Sequence, residues 1–85
     1  MNISKAEQRV LHALAQGGAI LFERGDNGKV AKTICVTREG HILVGCAPPV
    51  FARLRKLRLI RSQGGAPYRI TKRGVETVRA QMDNR

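Results

Sequence analysis

The chain has 85 residues, 42% of them hydrophobic, and carries 16 Lys and Arg against 6 Asp and Glu, a net charge of +10. That length suits one small domain over residues 1–85, and the composition is that of a packed core rather than of a disordered chain. No apolar run approaches the roughly 20 residues of a membrane span, and no charged-then-apolar start with a small-residue cleavage site is present, so the sequence predicts a cytoplasmic protein without a membrane partner.

The first predicted element is a helix opened by Ser4. Ser4-Lys5-Ala6-Glu7 is a capping box, in which the serine oxygen meets an orphan N–H and Glu7 reaches back. Ala6, Val10, Ala13 and Leu14 recur at helical spacing with Leu11 beside them. Gly17-Gly18 stops the helix. Helical periodicity is then lost. Ala19–Phe22 reads as a strand, and Gly25-Asp26-Asn27-Gly28 as a turn. Val30–Val36, rich in β-branched residues, is a second strand. Arg38-Glu39-Gly40 turns again, and His41–Val44 makes a third strand of an antiparallel meander.

Pro48-Pro49 opens a second helix, where the missing N–H costs nothing. Val50, Phe51, Leu54 and Leu57 form its apolar stripe, and Arg53, Arg55 and Lys56 lie away from it. Leu59–Ser62 and Tyr68–Ile70 read as a hairpin closed by the loop Gln63–Pro67, with Arg61 and Arg69 on the face opposite Ile60 and Ile70. Thr71 caps a last helix, whose stripe is Val75, Val78 and Met82. The fold class is therefore α+β: an N-terminal helix, a small antiparallel β-meander, and a helix–hairpin–helix C-terminal half.

The charge is uneven. Residues 1–45 hold six cations and four acids, while residues 46–85 hold ten cations and two acids. Arg53, Arg55, Lys56, Arg58, Arg61, Arg69, Lys72 and Arg73 follow one another with no acid between them. Such a field attracts a polyanion or an acidic protein surface, and arginine pairs equally well with phosphate and carboxylate. These eight residues are the candidate binding site.

Other chemistries find little support. Base stacking needs exposed aromatics beside the charge, and the chain offers only Phe22, Phe51 and Tyr68; a small core takes both phenylalanines. His12, Cys35, His41 and Cys46 match no zinc-ligand spacing. With no export signal, both cysteines read as reduced thiols. Among the six acids, Glu7 serves the cap, Asp26 a turn and Asp83 the tail, and no two form an acid–base pair. Phosphate-binding and nucleophile-elbow motifs are absent. The sequence therefore predicts a binding protein that is not an enzyme and uses no cofactor or metal.

Two resemblances extend this reading. The order of basic helix, hairpin and short helix, carried by Leu54, Leu57, Leu59-Ile60, Pro67-Tyr68-Arg69-Ile70-Thr71 and Gly74, resembles the second half of a winged-helix domain. There the helix enters the major groove and the hairpin touches the DNA backbone, which implies a DNA-binding regulator as the alternative function. The helix that normally precedes the recognition helix has no counterpart, since residues 19–45 read as strands.

The second resemblance covers nearly the whole chain. Glu7-Gln8-Arg9, Leu11-His12, Leu14-Ala15, Gly17-Gly18, Cys35, Arg38-Glu39-Gly40 and Cys46 carry its first half. Val50-Phe51, Leu54, Leu59-Ile60, Pro67–Ile70, Gly74 and the run Val78–Arg85 carry the second. Together they resemble the YjhX-type family of small bacterial toxins, described as inhibitors of DNA topoisomerase I. The resemblance implies two partners, the topoisomerase and an acetyltransferase-like antitoxin. It implies no role for any particular residue.

Overall fold

The computed structural model describes residues 3–83, with side chains as far as Ala80. The side chain of Met82, expected on the last apolar stripe, lies outside the described residues, as do Asn84 and Arg85 of the expected polar tail; Asp83, expected in that tail, instead closes the last helix.

The first helix, α1 (Lys5–Ala15), begins as its sequence dictates. The Ser4 side chain accepts from the Glu7 N–H at 3.1 Å, and the Ser4 N–H donates to Glu7 Oε1 at 2.9 Å. Its buried face is Glu7, Val10, Leu11 and Leu14. Ala6, expected on the stripe, is exposed and Ala13 only half-buried. The reason is angular: positions 7, 10, 11 and 14 centre on one line of the helix, and position 6 falls about 100° from it. Gly17 then takes φ 108°, a left-handed turn that favours glycine. Gly18 is needed for a different reason, because a Cβ there would stand 2.5 Å from the Val36 carbonyl oxygen.

Strands β1 (Ala19–Arg24), β2 (Val30–Val36) and β3 (Ile42–Leu43) form an antiparallel sheet in that order. β1 runs two residues past its predicted end, because pairing continues from Ala19↔Val36 to Arg24↔Val30. The third strand is shorter than expected. Only Ile42 and Leu43 pair, with Val36 and Cys35, before Gly45 at φ 113° turns the chain away.

Helix α2 (Pro48–Lys56) starts on its two prolines and ends in a Schellman motif, with Leu59 N–H donating to the Leu54 carbonyl and Arg58 N–H to that of Arg55. The left-handed residue of that motif is Arg58, at φ 61°, where glycine is usual. Strands β4 (Ile60–Arg61) and β5 (Arg69–Ile70) pair as Ile60↔Ile70 and Arg61↔Arg69. Pairing here is confined to two residues on each strand. Thr71 caps α3 (Lys72–Asp83) by accepting from the Gly74 N–H at 3.1 Å. The Thr71 hydroxyl also donates to the Arg58 carbonyl at 2.8 Å, which ties the end of α2 to the start of α3.

One long-range pairing joins the two sheets. Ile20 and Tyr68 exchange both backbone hydrogen bonds, each 2.9 Å. The Ile20 side chain is fully buried, among Leu11, Leu54, Leu59 and Cys35. The Tyr68 ring meets Phe22 and Phe51 edge-on, with centroids 5.2 and 5.0 Å away. Each large core side chain contributes about 1.5–3 kcal/mol by leaving water, so these contacts carry most of the core.

Cys35 and Cys46 are buried free thiols. Burial first, and then the neighbouring Cys46, pushes Cys35 from 9.0 up to about 11. Burial also raises Cys46, against a side-chain hydrogen bond from Thr33. At pH 8 only about one Cys35 in a thousand is thiolate. The folded protein is therefore expected to resist iodoacetamide while the urea-unfolded chain reacts quickly, with mass spectrometry counting adducts. The unfolded thiol ionises first, so the stability gained by burying Cys35 is complete below pH 9.0 and lost as pH rises toward 11. Rapid adduct formation on the folded chain would show an open, reactive thiol instead.

Candidate functional site

All eight cations singled out in the sequence are exposed, but the fold does not gather them on one face. It deals them into three settings.

Arg53 turns toward α1. Its Nε lies 3.4 Å from Glu7 Oε1, the same carboxylate that completes the α1 capping box. Glu7 thus holds two elements at once, a role beyond the cap that its sequence context indicates.

Arg55 and Lys56 face the other way, toward the sheet. They border a groove of about 690 Å³ between α2 and β2, with Arg24, Lys29 and Lys32 contributed by the β1–β2 hairpin. Val30, Phe51, Pro48 and Ala52 supply its apolar lining. Five cations and no acid line this groove. Arg24 is held at its mouth, with one guanidinium nitrogen donating to the Gly28 carbonyl at 2.8 Å and the head 5.3 Å from the Phe22 ring centroid. Sequence reasoning missed Arg24, Lys29 and Lys32. Their local stretch also holds Glu23 and Asp26, so it looks charge-balanced. A signal was available in the helical spacing of positions 48, 52, 55 and 56, which marks a second face of α2.

The third setting is the hairpin. Arg61, Arg69 and Lys72 border a smaller depression of about 460 Å³ with Gln63 and Pro67. Arg61 and Arg69 are direct register partners. Like charges directly opposite on one strand pair are destabilising. Lys72 and Arg73 lie in the first turn of α3, which has no acid, where the helix macrodipole disfavours cations. Arg58, as described, holds a left-handed backbone without being glycine. By contrast, Arg53, Arg55 and Lys56 fall in the last turn of α2, where the dipole favours them.

The other sequence candidates stay apart. His12 is exposed on α1, within 3.2 Å of the Gln16 side chain. His41 is exposed beyond the meander turn, whereas both cysteines are interior. Among the described residues no three metal-capable side chains come together, and no helix is long and apolar enough to cross a membrane.

The whole of residues 1–85 matches a protein family described as "Putative toxin of bacterial toxin-antitoxin pair". The chain is 60% identical to a UPF0386 protein of Parvibaculum lavamentivorans over 85 residues, all of both chains. It is 58% identical to one of Ruegeria sp., again over the full length of both. A relative from Caulobacter vibrioides is 56% identical, covering all of this chain and 93% of its own. No solved structure matches the chain.

Two substitutions test the local cost of the hairpin charges. Arg61→Thr is expected to stabilise the fold by about 0.2–1 kcal/mol, and the gain should shrink as salt screens the pair. Arg58→Gly is expected to stabilise by about 1 kcal/mol through relief of the left-handed backbone. Thermal melts at low and high salt read both; a loss of stability in either variant would mean that the side chain makes compensating contacts.

Proposed function

Because the chain belongs to this toxin–antitoxin family, we propose that it acts in the cytoplasm as a toxin that binds DNA topoisomerase I and blocks DNA relaxation, and that an acetyltransferase-like antitoxin neutralises it. The action is binding rather than catalysis. The contact surface is the hairpin and its flanks, Arg58, Arg61, Arg69, Lys72 and Arg73, continued by Arg55 and Lys56. Arg53 contributes less, since its guanidinium is engaged by Glu7.

One observation carries this reading: the hairpin cations stand where the local structure disfavours them. Arg58 occupies a glycine-type backbone, Arg61 opposes Arg69, and Lys72 with Arg73 crowd the positive end of α3. A face that served only solubility would favour interspersed acids. Cations held against stability fit a surface whose strain is relieved by an acidic partner. The winged-helix likeness of the C-terminal half belongs to the same proposal, with α2 and the hairpin as the presenting unit.

The test is plasmid relaxation by topoisomerase I, titrated with this protein at two DNA concentrations. The half-inhibitory dose is expected to follow the enzyme and ignore added DNA. A dose that rises in proportion to DNA would mean that the protein coats the substrate, and no inhibition would remove topoisomerase as the target. Arg61→Glu with Lys72→Glu should weaken inhibition about tenfold or more, in line with the loss of close interfacial charge pairs. Arg53 is left unaltered in that variant because reversing it would set two acids against each other.

A further inference from the structure

The groove between β2 and α2 has a second property besides its charge. Along Val30–Lys32, one edge of β2 is taken by β1, with a register shift that leaves Ala31 opposite no β1 residue, while β3 reaches β2 only at Cys35 and Val36. Among the described residues no strand lies beside the other edge, and Val30, Ala31, Lys32 and Thr33 all line the groove. Thr33 marks the closed end, where its hydroxyl donates to the Cys46 carbonyl at 3.2 Å. An open strand edge offers both N–H donors and carbonyl acceptors to an incoming strand.

We infer that this groove takes an extended acidic segment of a protein partner as an added strand on β2, and that this partner is the antitoxin. The inference rests on the toxin–antitoxin pairing of the family and is independent of topoisomerase as target. Three features select the occupant. Arg24, Lys29, Lys32, Arg55 and Lys56 call for carboxylates on the segment. Val30, Pro48 and Ala52 accept alternate apolar side chains from it, as a strand with period two would supply. A second copy of the chain is disfavoured, because it would bring like charge to a lysine-guarded edge. A phosphodiester chain fits less well: it offers acceptors but no donors for the strand carbonyls, and Phe51 is too buried to stack with a base. Since Arg55 and Lys56 also belong to the proposed target-binding surface, a strand seated here would cover part of it.

The experiment uses the intact chain and a short fluorescein-labelled peptide alternating glutamate with valine. Fluorescence anisotropy measures affinity, and amide NMR locates the site. Saturable binding with shifts of the Ala31 and Thr33 amides is expected. A peptide of equal charge with a central proline should bind about tenfold more weakly, because proline lacks the N–H and breaks the ladder. Lys29→Glu with Lys32→Glu should weaken binding by a similar factor, about tenfold. If that variant folds poorly, the proline comparison on the unaltered chain still decides. Equal affinity for both peptides, shifts elsewhere than β2, or no saturable binding would each overturn the inference. So would a thymidine oligonucleotide that displaces the peptide and shifts the same amides, because the groove would then be a phosphate site. Growth arrest on induction of the chain tests the toxin reading separately: a toxic chain that ignores the peptide sinks only the groove.

Discussion

The reciprocal pair of hydrogen bonds between Ile20 and Tyr68 holds the two halves of this molecule in register. Each half is built from near neighbours in sequence: a helix and meander on one side, and a helix, hairpin and helix on the other. Neither half buries its apolar face alone. The pairing lays the hairpin against β1, so Ile20 joins Leu54 and Leu59 in one buried core, and Tyr68 reaches Phe22 and Phe51. The core then follows from a backbone constraint together with a cluster of aromatic edges. Glu7 adds a smaller tie on the outside, linking the cap of α1 to Arg53 of α2.

Within that frame the cations are distributed by geometry rather than by sequence proximity. Arg53, Arg55 and Lys56 follow closely on one helix, yet they serve different neighbours, because side chains at successive positions lie about 100° apart. The result is a cationic surface with two concave stretches: the α2–β2 groove and the depression beside the hairpin. Residues at the end of α2 complement its dipole, whereas those on the hairpin and at the start of α3 do not. The unfavourable placements cluster at the C-terminal end of the basic surface.

Much of this order was legible from the residues. The Ser4–Glu7 box, the proline start of α2, the Thr71 cap, the three-strand meander and the face shared by Arg61 and Arg69 all follow from local rules, and the structure has them. What escaped were features that depend on another element. Ala6 lost its place because the buried face of α1 centres on Glu7, Val10, Leu11 and Leu14, about 100° away. The last strand of the meander shortened because the chain must turn at Gly45 toward α2. Arg24, Lys29 and Lys32 entered the groove only because β2 lies beside α2, a relation that no window of sequence contains. Arg58 could not be recognised as left-handed, since the Schellman geometry around it involves backbone atoms alone.

The Ile20–Tyr68 pairing also has a temporal consequence. The two residues stand 48 positions apart, so closing them costs chain entropy that the local hairpins do not. The β1–β2 hairpin can form as soon as its own residues are available. The aromatic cluster cannot, because Tyr68 is its centre. During synthesis the N-terminal half therefore passes through a stage with Ile20 and Phe22 uncovered and the outer edge of β1 unpaired. In that interval the nascent chain presents an apolar sheet with fewer than half of its cations yet made.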